Sequence, residues 1–412
     1  MAIYLLQPQT TFAGSLTSNL ISTKFTADSR KKQIKEFTNF WKEDSTYQEI
    51  REWVEDKQAQ GKIIARSSLK EPDITGTIIV DVPDEEVTKM QEELSKAVIL
   101  SDKLLDLVRP HRITTSLKEQ ITKKDLWHLT AIGLHSDHNQ GLDATGDGVT
   151  VVVLDTGVDE NHPELQGKII ESYNLDIREV GPLGKAQRLE RSQDLDGHGT
   201  HVAGLICGKS VGVAPKAKII NAVLMPRANI GVSSFFSNFT VAMNFLSTRS
   251  DIDIINISAG ISGAIYTKLM DNYLETLLLI GILPVCAVGN EGRDRTRSPG
   301  NCRSAISVGA LDQTKKVAAF SSSGIIVFDN HQYNVPTLVA PGEAIYSSVI
   351  GGKYEAWNGT SMATPIVSGI AALILEKYPE ITVMQLIEEL LSRCQPLDVE
   401  PSRQGAGAIK MF

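Results

Sequence analysis

The sequence predicts an α/β protein: a doubly wound, mainly parallel sheet preceded by a small α+β domain. Two observations predict it. After about residue 125, apolar runs without polar alternation recur between helical stretches, as strands buried on both faces require. Before that point the chain is charged and poor in glycine; after it, glycine punctuates the apolar runs. A chain of 412 residues has room for two or three domains. We therefore expect a first domain over residues 1–119 and a second over 120–412.

In the first domain "IYLLQP" reads as a short strand, and "SRKKQIKEFTNFWKEDSTYQEIREWVEDKQAQG" has helical periodicity. "GTIIVDVP" follows as a strand, "DEEVTKMQEELSKA" as a helix opened by acidic residues, and "VILSDKLLDLV" as a further strand region. In the second domain "GVTVVVLDTG" is a continuous apolar strand ending in a turn, and "HGTHVAGLICG" starts a helix. "AKIINAVLM" reads as a strand, "SSFFSNFTVAMNFLST" as a helix, "DIDIINISAG" as a strand and "YTKLMDNYLETLLLIG" as a helix. "ILPVCAVGN" and "SAISVGAL" are strands. Ligands of such sheets bind beyond the carboxyl ends of the strands. That rule singles out Asp155, Ser258–Gly260 and Asn290.

Composition narrows the function classes. With 42% hydrophobic and 22% charged residues the chain reads as a soluble globular protein. A net charge of −8 argues against nucleic acid and anionic membrane as main partners. The N-terminus lacks a basic stretch followed by an apolar one, so no signal peptide is expected and the location is expected to be cytoplasmic. Four cysteines (Cys207, Cys286, Cys302, Cys394) show neither metal-binding spacing nor disulfide density, and three sit in apolar surroundings.

The chemistry begins at "NGTSMATP". Ser361 stands among small residues at the mouth of an apolar helical run. That could be a helix cap, or an exposed hydroxyl with room for a substrate backbone. Asp155 closes a strand before "TG", and His198 lies among glycines in "DGHGTHVAG". A nucleophilic serine needs a base, and the base needs an orienting carboxylate. An asparagine amide such as Asn290 in "AVGNEG" can donate to an oxyanion. Singly each has an ordinary structural explanation; the set, in the order Asp–His–Asn–Ser, does not.

These motifs, with "GVAP", "INISAG", "SPGN", "ISVGA" and "VAPG", resemble those of the subtilisin-like serine proteases over about residues 125–412. The resemblance implies Asp155 as orienting carboxylate, His198 as general base and acid, and Ser361 as nucleophile. Asn290 and the Ser361 amide would form the oxyanion hole. Ser258, Ala259 and Gly260 would pair with an extended substrate, and Ala287, Val288 and Gly289 would line the facing wall of the primary pocket. His201 would be structural. The N-terminal part looks like a subtilase propeptide, an intramolecular inhibitor, with self-cleavage expected near Lys118–Thr122, although an unrelated interaction domain is the alternative.

Two departures carry consequences. Only "LICGKSV" separates "HGTHVAG" from "GVAP", so the calcium loop common in the family is missing; no cofactor is expected, with calcium left possible at weaker sites. The loop "EGRDRTRSPG" holds three arginines; in the family it resembles this loop forms the floor of the primary pocket, and the resemblance implies that Arg297 falls close to the position facing into it. Its guanidinium would favour an acidic residue before the scissile bond, as Glu119 in the expected junction suggests, unless these arginines face solvent. The implied function is a self-processing serine endopeptidase acting on proteins or peptides. A maturation protease that removes a leader from one peptide partner, compatible with a chain closing at "GAGAIKMF", and a catalytically silent peptide-binding module remain alternatives.

Overall fold

Ten strands form one sheet in the order 394–395, 408–409, 338–341, 306–311, 283–287, 254–257, 150–155, 218–223, 169–174, 187–188 in the computed structural model. The structure describes residues 1–9, 27–134, 144–176, 186–225, 233–261, 264–328 and 331–411. Its strands run parallel except in the two outermost pairs. The apolar runs explain this. In Thr150–Asp155, Val151 and Val153 face one layer while Val152 and Leu154 face the other, and all four are fully buried.

One layer holds the helices His198–Cys207 and Thr360–Lys377, whose apolar faces share a cluster with Val151, Val153 and Ile254. The opposite layer holds Phe236–Ser247 and Ala264–Leu279. The doubly wound arrangement expected from the alternation is therefore present.

The N-terminal residues form a separate four-stranded sheet in the order 64–65, 78–82, 2–8, 97–101. Helices Ala27–Glu43 and Ser45–Ala59 accompany it. The stretch read as one helical region is two helices because the Asp44 carboxylate accepts the Tyr47 amide at 2.8 Å and caps a new start. One apolar cluster runs unbroken from Leu5, Phe37 and Trp41 through Phe236, Phe239 and Tyr273 to Val152. The two sheets thus share a core across the second helical layer.

Two buried polar contacts fix that junction. Arg30, 5% exposed, donates from Nε to the Ile280 carbonyl at 2.8 Å and from Nη1 to that of Ile252 at 2.9 Å. It plugs the C-terminal end of helix Ala264–Leu279, where carbonyls lack helical partners. Tyr273 of the same helix donates to Asp73 Oδ2 at 2.9 Å, while Asp73 Oδ1 holds the Thr75 and Thr77 amides at 2.8 Å.

Two expectations are corrected. The region 98–108 is not one strand: Ala97–Ser101 completes the N-terminal sheet, and Leu104–Leu107 leaves it for another. The helix expected from Ser233 starts at Phe236, because Ser233–Phe235 pairs antiparallel with Leu104–Asp106. Local propensity yields there to a distant partner.

Arg30→Ala is expected to loosen the N-terminal region by about 2 kcal/mol, since it leaves buried carbonyls without their charged donor. Thermolysin cleavage within residues 27–43 should accelerate roughly tenfold or more, while the ten-stranded sheet and its helices stay resistant.

Candidate active site

Asp155 ends its strand at the carboxyl edge of the sheet and is fully buried. Its Oδ1 accepts the Thr156 amide at 2.7 Å, and its two oxygens lie 2.8 and 2.9 Å from Nδ1 of His198. His198 is the first residue of its helix, and Gly197 before it holds φ +100°. Gly199 must be glycine: a Cβ there would sit 2.0 Å from the Gly157 carbonyl oxygen. The backbone of this helix start thereby presses against the turn that follows Asp155.

Sequence reasoning missed Asp194. Its carboxylate accepts the amides of Asp196, Gly197 and Thr200 and the hydroxyls of Thr156 and Thr200, at 2.7–3.0 Å. It ties the His198 turn to the Asp155 turn. Its place in "DLDGHGTH", four residues before the imidazole, was the available signal.

Ser361 is the second residue of helix Thr360–Lys377 and is buried. The absence of bulk around it has a direct reason. A Cβ on Gly359 would meet Ser361 Oγ at 3.0 Å, and Asn290 Nδ2 and Pro110 Cα at 3.3 Å. Asn290 lies just past strand Leu283–Ala287. Its Oδ1 accepts the Thr360 amide at 2.8 Å and hydroxyl at 3.0 Å, which fixes the amide orientation and leaves Nδ2 facing the cleft.

The cleft is filled by the chain itself. Leu104–Leu107 lies antiparallel between Ser233–Phe235 and Ala259–Gly260, and the Val108 amide donates to the Ser258 carbonyl at 2.9 Å. Beyond the helix mouth, His111–Arg112 pairs antiparallel with Trp357–Asn358. We call Leu104–Arg112 the strap. Ser361 Oγ donates to the Val108 carbonyl at 2.9 Å, and Asn290 Nδ2 donates to the Arg109 carbonyl at 2.9 Å. Nε2 of His198, the nitrogen that would take the serine's proton, is buried without a hydrogen-bond partner among the described residues. The strap holds the hydroxyl that the base would need.

Residues 118–122, where self-cleavage is expected, are engaged away from Ser361 in this structure. Lys118 pairs its backbone with Tyr354, Glu119 forms an ion pair with Lys353 at 2.9 Å, and Thr122 caps the turn Lys123–Asp125. Val108 and Arg109 are the residues that touch Ser361 and Asn290. The chain leaves the N-terminal sheet directly after Ser101 and enters the cleft within a few residues.

Ala287, Val288 and Gly289 run past the strand end, with Gly289 at φ +118°. Arg297 packs between the two expected walls. Its amide donates to the Val288 carbonyl at 3.3 Å, and a Cβ on Gly260 would meet its own Cβ at 2.8 Å. Its charge is compensated, because Nε donates to Glu291 Oε1 at 2.7 Å. Arg293 instead pairs with Glu400 on the surface.

Other nucleophiles are set aside by their surroundings. Burial pushes the Cys207 thiol up to about 12 and raises those of Cys286 and Cys302 as well, so none supplies a thiolate. His201 is buried with its Nε2 3.1 Å from the Glu355 carbonyl oxygen, and burial lowers its pKa to about 3. No group of three or more His, Cys, Asp or Glu side chains placed to hold a metal occurs among the described residues. An acid–imidazole pair, a hydroxyl and an amide donor that engage neighbouring carbonyls of a bound peptide are the parts that acyl transfer uses.

Comparison with known proteins points the same way. Residues 146–407 match the family model described as the subtilase family. An intracellular serine protease of Paenibacillus polymyxa is 35% identical over 279 residues, 64% of this chain and 79% of that protein. Subtilisin E of Bacillus subtilis (strain 168) is 34% identical over 264 residues, covering 62% of each. Among solved structures, a cold adapted subtilisin-like serine proteinase aligns with a TM-score of 0.55 and 30% identity, over 69% of this chain and 96% of its own.

The buried imidazoles of His128, lowered to about 4, and His201 make stability depend on pH. Both are depressed in the folded state, so their contribution is complete above the unfolded value near 6.5 and fades as pH falls toward 4. From pH 7 to pH 5 each should remove roughly 2 kcal/mol. Urea unfolding of Ser361→Ala and of Ser361→Ala/His128→Gln at both pH values checks this: the second chain should lose about half as much.

Proposed function

The chain belongs to the subtilase family of serine peptidases, and we propose that it is an endopeptidase made as a latent zymogen whose strap is its built-in inhibitor. The observation that carries this reading is the pair of contacts from Ser361 and Asn290 to consecutive backbone carbonyls of the strap. A peptide lies where a substrate would lie, held as an added strand.

With the strap lifted, each side chain has a step to perform. Nε2 of His198 takes the Ser361 proton as Oγ attacks a substrate carbonyl carbon. Asp155 holds the imidazole through Nδ1 and stabilises its charged form. Nδ2 of Asn290 and the Ser361 amide bind the oxyanion as it forms. The tetrahedral adduct collapses when His198 returns the proton to the leaving amine, and water then releases the acyl group by the same route.

The strap resists this chemistry because it lies between two frames. Its pairing to Ser258 presents the Val108–Arg109 bond, yet the Val108 carbonyl accepts from Ser361 itself and the Asn290 amide is taken by Arg109. The frame in which Arg109 holds the oxyanion donor would require breaking Arg109–Pro110, whose ring crowds the leaving nitrogen. Slow self-processing at Val108–Arg109 then needs the strap to slide by one residue. An intracellular setting is supported by the free cysteines and by the name of the Paenibacillus relative. Among the described residues no helix is long and apolar enough to cross a membrane.

Intact-mass measurement over time should reveal a fragment ending at Val108 in the wild type and none in Ser361→Ala. The same fragment in both overturns self-processing, as does its absence from both. A fluorophosphonate probe tests the peptidase itself and should label Ser361. In the processed enzyme Asn290→Ala is expected to lower kcat about 10²- to 10³-fold.

The pocket reading has its own test. Arg297 is proposed to line the primary pocket with its charge balanced by Glu291, so the wild type should show little preference for an acidic residue before the scissile bond. Glu291→Gln should unmask the guanidinium and raise cleavage after Glu relative to Leu roughly tenfold. An unchanged ratio places Arg297 outside substrate reach.

A further inference from the structure

Past the nucleophile the strap is held by more than its backbone. Trp357 and Asn358 pair with Arg112 and His111, and the Ile113 amide donates to the Ala356 carbonyl at 3.0 Å. Any extended peptide leaving Ser361 on that side would meet the same edge. At this point the Arg112 guanidinium lies over the Trp357 ring, 4.5 Å from its centroid. Its Nη2 donates to both the backbone oxygen and Oδ1 of Asp196, each at 3.0 Å.

The receiving surface is rigid. Trp357 is 1% exposed, and its indole N–H donates to Glu355 Oε2 at 2.8 Å. His201 stacks on it at 4.3 Å with an 8° tilt, and that imidazole is anchored in turn on the Glu355 carbonyl. Burial keeps His201 neutral, so it does not repel a cation bound at the indole. A second histidine beside the candidate base thereby acquires a use: it supports the indole.

We propose that Trp357 and Asp196 form a substrate subsite for an arginine on the leaving-group side, occupied in the latent chain by Arg112. This rests on the peptidase reading. A planar cation suits the site, since it can stack on the indole while an N–H reaches the carboxylate; lysine supplies the charge without the plane. Arg112 is the fourth residue after Val108, which sets the position to be read in substrates. Half-exposed contacts of this kind amount to about a three- to tenfold preference.

Two readouts on the full chain test it. The rate at which a fluorophosphonate labels Ser361 reports how often the strap lifts. Arg112→Ala should raise that rate about three- to tenfold, Asp196→Asn likewise, and the double variant should add nothing further. Quenched peptides carrying Arg, Lys or Ala at the fourth position past the scissile bond should be turned over in that order. The advantage of Arg over Ala should collapse in Asp196→Asn. Equal labelling of wild type and Arg112→Ala, or equal turnover of Arg and Ala peptides, overturns the subsite and leaves the nucleophile in place. A chain whose Ser361 labels in none of these variants overturns the peptidase reading instead.

Discussion

The Asp155 carboxylate is buried beneath an imidazole, and much of the surrounding architecture follows from keeping that pair dry and aligned. A carboxylate taken out of water must be paired or richly hydrogen-bonded. Asp155 meets this with the Thr156 amide and His198. Those partners can reach it only if the turn after the strand and the start of the next helix approach within a backbone's width. Gly199 permits the approach, and Asp194 holds the two turns together through five donors. Asn290 arrives beside Asp155 because parallel strands deliver their carboxyl ends to one edge, whereas Ser361 is brought in by the start of helix Thr360–Lys377, whose Thr360 amide donates to Asn290 Oδ1.

Short segments flanking this edge accept an added strand in two small sheets apart from the parallel one. The chain uses them on both sides of the nucleophile: Leu104–Val108 on Ala259–Gly260 and Ser258, His111–Arg112 on Trp357–Asn358. Between them the hydrogen bonds fall out of step. Ser361 and Asn290 engage successive carbonyls instead of meeting at one. The strap therefore sits one residue out of the frame in which a single carbonyl would meet both groups.

Much of the fold could be read before the structure was seen, because its signals are local. Unbroken apolar runs such as Thr150–Asp155 announce strands covered on both faces, and glycines around His198 and Ser361 announce close backbone approach. The candidate site was legible for the same reason, since each residue sits in a short motif at a strand or helix end. What stayed hidden depends on pairing across long separations. Nothing in "SSFFSNF" says that Ser233–Phe235 will be a strand, because its partner lies more than a hundred residues earlier. Residues 98–108 carry one apolar pattern but enter two sheets. Arg30 looks like any charge on an amphipathic helix until the carbonyls around Ile280 surround it. The compensation of Arg297 by Glu291 follows from a loop conformation that charge counting does not reveal.

The strap belongs to the same polypeptide as the cleft it fills, so the inhibition proposed for it would be unimolecular. While the chain is whole, the effective concentration of blocking peptide at the cleft is on the order of millimolar, whatever the amount of protein present. Once the connection is severed, rebinding becomes an encounter between two molecules and weakens on dilution. Silence would then be a property of each molecule before the cut and of the whole population after it.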